Sequence, residues 1–153
     1  METKINNLRY ETGTATYSDI HSHLKECSDD FNFPLEKRVD IALYSKKIFE
    51  KAITFEAWVD NILIGLIAAY FNSMNHSFGY ITNISVMKIY TGLKIASLLM
   101  SMCIEYANRN NFRGVMLEVS KDDKNTINIY EEFGFVKNDI RGNSLLMSLR
   151  LDN

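Results

Sequence analysis

Leu117-Glu118-Val119-Ser120 leads through Lys121 into Asp122-Asp123-Lys124-Asn125-Thr126, with Tyr130 and the pair Gly134-Phe135 following. Val115, Met116, Leu117 and Val119 read as a buried strand over Gly114–Ser120, and the acidic turn after it opens a short helix over Asp123–Phe133 that Gly134 ends. Asp123 suits the N-cap of that helix. A carboxylate at 118 on so apolar a strand must face a polar cleft or be paired, because an unpaired buried charge is costly. Twelve positions on, the Tyr130 phenol completes a pair able to line one cleft as general base and general acid.

Upstream of that stretch, Ile95, Leu98, Leu99, Met102, Cys103 and Tyr106 recur at three- and four-residue intervals, the stripe of an amphipathic helix over Gly92–Asn108. Three strands precede it. Ala52–Val59 and Ile62–Phe71 flank Asp60-Asn61, residue types that tolerate positive φ in a two-residue hairpin, and Phe78–Met87 follows the Asn72–Ser77 turn. A first helix is expected over Tyr17–Cys27 with Thr16 or Ser18 as its cap. A second is expected to begin near Pro34, with Leu35, Val39, Ala42 and Phe49 near one face. Phe135–Val136 and Ser144–Leu151 are the expected closing strands. The alternation of helices and strands predicts an α/β (α+β) fold, a mixed sheet flanked by helices.

The 153 residues hold one proline, seven glycines and 46% hydrophobic residues, with no repeat or linker-like stretch, which predicts a single domain over residues 1–153. A formal net charge of -2 supplies no field that would draw the chain to nucleic acid or an anionic membrane. Residues 62–87 are uncharged, but the continuous apolar part, Ile62–Phe71, is about half the roughly 20 residues a membrane span needs. Cys27 and Cys103 are too few and too far apart for a disulfide framework. With no signal-peptide pattern at Met1-Glu2-Thr3-Lys4, reduced thiols and a cytoplasmic location are expected. His21, His23 and His76 form no metal-ligand pattern, the first two falling on a polar helix, so no metal is expected. Glu26, Asp29, Asp30, Glu36 and Asp40 interleave with Lys25, Lys37 and Arg38 as a solvated face.

Two segments carry a family resemblance. Ile84-Ser85-Val86-Met87-Lys88-Ile89-Tyr90-Thr91-Gly92-Leu93-Lys94-Ile95-Ala96-Ser97-Leu98-Leu99 resembles the acetyl-CoA motif of the GCN5-related N-acetyltransferases (GNAT superfamily), and Leu117–Phe135 resembles that family's next strand, helix and Gly-Phe ending. The resemblance covers roughly the C-terminal half. It implies a mostly antiparallel, twisted sheet of six to seven strands with about four helices, splayed between the fourth and fifth strands, and acetyl-CoA as cosubstrate. A diphosphate is well held where a strand turns into a helix, since free amides and the helix dipole converge there. Gly92, Leu93, Lys94, Ile95, Ala96 and Ser97 are the residues implied at that turn, with the main chain of Ile84, Ser85 and Val86 along the pantetheine.

The loop departs from the family wording. Arg or Gln, two residues, Gly, one residue, then Gly or Ala becomes Thr91, Lys94 and Ala96, and Asp123 stands where the family usually has a cofactor-contacting asparagine. Tyr130 falls where the family places the tyrosine that hydrogen-bonds the CoA sulfur and protonates the leaving thiolate. Glu118 matches the base of some ribosomal-protein N-terminal acetyltransferases, which share the Leu-Glu-Val run and the twelve-residue spacing. Tyr80 and Asn83 are candidates for the acceptor side. The implied function is acetyl transfer from acetyl-CoA to a primary amine of a small molecule, an amino sugar being the first expectation and a protein N-terminus the second. The rival is a non-catalytic CoA-binding sensor or pseudoenzyme, and a homodimer is compatible with a domain of this class.

Overall fold

The structure, a computed structural model, describes residues 7–28, 40–72, 77–92 and 94–151. Its elements run β1 (Leu8–Thr12), α1 (Tyr17–Cys27), α2 (Ile41–Lys51), β2 (Ile53–Val59), β3 (Ile62–Tyr70), β4 (Phe78–Val86), a 3₁₀ turn (Lys88–Tyr90), α3 (Ile95–Arg109), β5 (Gly114–Ser120), α4 (Lys124–Phe133), β6 (Val136–Arg141) and β7 (Ser144–Arg150). The strands form one seven-stranded sheet in the order β1-β2-β3-β4-β5-β7-β6. The pairs β1–β2, β2–β3, β5–β7 and β6–β7 are antiparallel, whereas β4–β5 is parallel. That parallel ladder joins Phe78 to Gly114, Gly79 to Val115 and Tyr80 to Met116 and goes no further. This is the splay between fourth and fifth strands that the resemblance implies.

The chain forms two compact units, Met1–Ala69 with Asn83–Cys103, and Tyr70–Thr82 with Ile104–Asn153. In the first, Ile20 and Leu24 of α1, Ile41 and Ile48 of α2, Trp58 of β2, and Leu63, Leu66 and Ala68 of β3 make one buried cluster. Successive strand residues face opposite sides, and next to Leu66 the missing Cβ of Gly65 admits α3. A Cβ there would stand 3.1 Å from Ile95 and 3.2 Å from Leu99. Glu56 of β2 is fully buried and accepts from the Thr14 and Ala15 amides, the Thr14 and Thr54 hydroxyls and the Trp58 indole. Five donors satisfy a carboxylate that would otherwise be prohibitive in a core, and they tie the turn before α1 to the sheet. In the second unit, Phe71 packs on Tyr106 and Phe112 with ring centroids 4.8 and 4.9 Å apart, over the bare face of Gly79.

Local signals place several elements where expected. Thr16 caps α1 in a reciprocal box with Asp19, Asp123 caps α4 through the Thr126 amide, and Gly134 ends α4 at φ +106. Asp60 carries the β2–β3 turn at φ +54. Other expectations need correction. β1 was not expected; a five-residue strand is set by its partner β2 more than by its own pattern. The expected start of the second helix near Pro34, with Leu35 and Val39, lies outside the described residues. Within that helix, Ala42 and Phe49 are exposed while Ile41, Ser45 and Ile48 are buried, so the inward stripe lies one residue away from the expected one. On α3, Leu98 is exposed and Met100 is buried in its stead. β6 extends from Val136 to Arg141, well past the expected two-residue strand, and every residue on it is exposed. His23, expected on a polar helix, is buried.

Candidate active site

In the first unit, β4 ends at Val86, whose successor Met87 donates its amide to the Ile64 carbonyl, and the chain passes through the 3₁₀ turn to α3. Gly92 sits at φ +83 with open space where a Cβ would project. The first α3 amide with a helical acceptor is that of Leu98, bonded to Lys94 O, so the amides of Ile95, Ala96 and Ser97 have no acceptor within the helix. Ile95 is buried and anchors the turn, while Ala96 and Ser97 are exposed. These amides and the positive end of the helix suit an anion, and the residues present fit a diphosphate. Lys94 takes φ +61. Position 94 therefore uses the left-handed backbone that glycine adopts without penalty, and a lysine holds it at a cost of about 1–2 kcal/mol. Thr91 donates its hydroxyl back to the Lys88 carbonyl.

Asn83 and Ser85, on β4, are buried and meet each other. The Leu63 carbonyl lies 2.8 Å from His23 Nδ1 and can only accept, so the ring proton is on Nδ1 and Nε2 accepts from the Ser85 hydroxyl, also at 2.8 Å. Ser85 Oγ accepts in turn from Asn83 Nδ2 at 2.9 Å, and Asn83 also reaches the Leu66 carbonyl. Burial pushes the His23 imidazole down to about 4. It is a neutral structural pin that binds α1 to β3 and β4. The Asn83 side chain is engaged inside this network, while Ile84 and Val86 are half-buried.

In the second unit, Tyr130 lies in the last turn of α4, half-buried, with its ring 5.9 Å from that of Phe135. Burial first, and the Asp123 carboxylate second, push its phenol up to about 12. It therefore keeps its proton throughout the neutral range. Glu118 of β5 is not sealed in the core and makes no hydrogen bond among the described residues; its carboxylate stands 4.0 Å from Arg141. Tyr80 is half-buried, its phenol raised by burial and by Glu118 and lowered by Arg141, so both charges reach it. Tyr80 and Glu118, both read as candidates from sequence, thus come together. Asp123 is occupied in capping Thr126.

Two side chains of these clusters were not legible. His23 falls among hydrophilic neighbours, yet Ile20, Leu24 and Cys27 at helical spacing mark its face as inward. Arg141 precedes the Gly142-Asn143 turn and looks like an ordinary hairpin charge until the β6–β7 pairing is known.

A family model for acetyltransferases of the GNAT family matches residues 17–135. The chain belongs to the GNAT family. Solved structures agree in fold. The ribosomal-protein-S18-alanine N-acetyltransferase from Escherichia coli aligns at TM-score 0.77 and 16% identity over 95% of both chains. PaiA N-acetyltransferase from Thermoplasma acidophilum, in complex with coenzyme A, aligns at 0.74 and 15% over 94% of this chain and 99% of that one. A protein assigned as a streptothricin acetyltransferase from Bacillus anthracis str. Ames, in complex with acetyl coenzyme A, is 26% identical at TM-score 0.57 over 67% of this chain, which spans 64% of that one. Among curated proteins no sequence matches. No helix among the described residues of this GNAT protein is long and apolar enough to cross a membrane.

Proposed function

We propose that residues 1–153 act as one acetyltransferase domain that moves the acetyl group of acetyl-CoA onto a primary amine of a small molecule, by direct attack on the thioester. The observation that carries this reading is Tyr130, a half-buried phenol in the last turn of α4, four residues before the Gly134 cap, with its pKa pushed up to about 12. A group needed only to fill a core has no use for a hydroxyl; one that must protonate a departing thiolate does. The amides of Ile95, Ala96 and Ser97, with Gly92 and Lys94, are the proposed diphosphate site. The main chain of Ile84, Ser85 and Val86 is the proposed partner of the pantetheine amides.

The chemistry asks little of the protein. An ammonium has no lone pair for attack, so Glu118 accepts a proton from the acceptor, directly or through water. The amine nitrogen then bonds to the thioester carbon, the carbon–sulfur bond breaks, and Tyr130 gives its proton to the sulfur. Much of the acceleration comes from holding the reactants in register. An amino sugar is the first acceptor class proposed, and a protein N-terminus the second, supported by the fold shared with the Escherichia coli enzyme that acts on a ribosomal protein.

Lys94 in the left-handed conformation favours a second reading, a CoA-binding sensor without turnover. Mass spectrometry of the native protein with acetyl-CoA and a cell extract separates the two: a small molecule gaining an acetyl group supports the enzyme, and retained cosubstrate with no acetylated product supports the sensor. Once the acceptor is known, Tyr130→Phe is expected to lower kcat roughly a hundredfold. Unchanged turnover removes the acid role.

A further inference from the structure

We propose that the acceptor bears an anionic group, a carboxylate or a phosphate, close to its reactive amine, and that Arg141 is the residue that selects it. The inference deepens the acetyltransferase reading and rests on it. It stands on one cluster in the second unit: Tyr80 of β4, Glu118 of β5, and Asp139 and Arg141 of β6. The Arg141 guanidinium is 4.0 Å from Glu118 through Nη1 and 3.8 Å from Asp139 through Nε. Both separations are beyond hydrogen-bond reach. A guanidinium offers five N–H donors in a planar fork, and here none is committed to a hydrogen bond among the described residues, while the side chain is 62% exposed. Ion pairs this long and this wet are weak, so an incoming anion displaces them at little cost.

The cluster is nonetheless ordered by sign. Arg141 is held by the last residue pair of the β6–β7 ladder, opposite Ser144, and β7 carries that hairpin against β5, where Glu118 pairs with Leu146. The half-buried Tyr80 phenol feels both charges, raised by Glu118 and lowered by Arg141. A positive fork and a carboxylate side by side, with a neutral donor next to them, complement a ligand that presents the reverse dipole: ammonium toward Glu118, anion toward Arg141. A simple monoamine would have to compete with Arg141 for Glu118 and leave the guanidinium with the exposed Asp139 alone. A zwitterionic acceptor satisfies both at once.

The test uses matched amines that differ only in the anion: alanine against alanine amide, and glucosamine 6-phosphate against glucosamine. With wild-type protein and acetyl-CoA, kcat/KM is expected to favour at least one anionic member at least tenfold, and which pair shows it distinguishes carboxylate from phosphate. Arg141→Gln should bring that ratio to about one, and Arg141→Lys, which keeps the charge without the fork, should restore part of it. Because loss of Arg141 also changes the surroundings of Glu118 for every amine alike, the ratio and not the rate is the readout. No preference in either pair, or a preference that survives Arg141→Gln, overturns the proposal. Should no amine be acetylated, the enzyme reading fails separately. NMR titration of the protein with the same pairs then decides the subsite: perturbation at Arg141 and Tyr80 by an anionic member alone upholds it, and equal or absent perturbation overturns it.

Discussion

At the scale of single residues, burial of the His23 imidazole carries a cost that pH can read. Its ring has one state compatible with its neighbours: Nδ1 protonated against the Leu63 carbonyl and Nε2 open to the Ser85 hydroxyl. A second proton would bring a charge into a site that is 1% exposed. The native imidazole therefore titrates near 4 and the unfolded one near its ordinary 6.5. Between those values the unfolded chain holds the extra proton, so stability falls as pH falls through that window and is independent of this group above it. At 1.36 kcal/mol per pH unit, the loss from pH 7.5 to pH 4 is about 3 kcal/mol. Urea denaturation of wild type and of His23→Gln at those two pH values should show the variant's acid loss smaller by about that amount. The same loss in both proteins would mean that His23 takes up its proton without penalty. The sequence marks only the inward face of α1, through Ile20, Leu24 and Cys27; the burial that sets the cost is completed by β3 and β4, whose Leu63 and Ser85 lie forty and sixty-two positions away and offset part of it.

At the scale of elements, the turn into α3 joins a sequence anomaly to a backbone requirement. Lys94 occupies a φ of +61, where a side chain is strained and glycine is not. Lys94→Gly relieves that strain but adds freedom to the unfolded chain, a cost of about 0.4–1 kcal/mol. The net gain is expected to be up to about 1 kcal/mol, read as a higher midpoint in thermal or urea denaturation; a lower midpoint would show that the lysine side chain repays its strain through contacts. Elements with local signatures were legible in this way: the Thr16 box, the Asp60 turn, and the strand-turn-helix ending in Gly134 each depend on residues only a few positions apart. The positions of Glu118 on its strand and Tyr130 on its helix were legible too, being set by that same short unit. β1, β6 and the inward face of α2 were not. The first two are defined by their partners β2 and β7, β6 having no buried residue to generate a period. On α2 the buried stripe contains Ser45, a polar residue that interrupts the apolar pattern a sequence reading relies on.

At the scale of the whole molecule, the fold persists against the Escherichia coli enzyme at 16% identity over 95% of the chain. Such tolerance is expected where a core needs apolar volume in the right pattern more than particular residues. The proposed cosubstrate site would share that tolerance, because the contacts proposed for its phosphates are main-chain amides at the start of α3, which the side chains of Thr91 and Lys94 do not supply. Binding should therefore survive the changed loop wording. A ligand that binds only the folded protein stabilises it by RT ln(1 + [L]/Kd), about 2.7 kcal/mol at a hundred times Kd. For a chain of this length each kcal/mol moves the midpoint by about 2–4 °C, so saturating acetyl-CoA should raise Tm by about 5–10 °C. Free CoA should give a comparable rise, since it carries the same diphosphate and pantetheine, whereas acetate should give none. A midpoint unmoved by millimolar acetyl-CoA would leave the α3 amides without a ligand and the chain as a GNAT scaffold serving some other interaction.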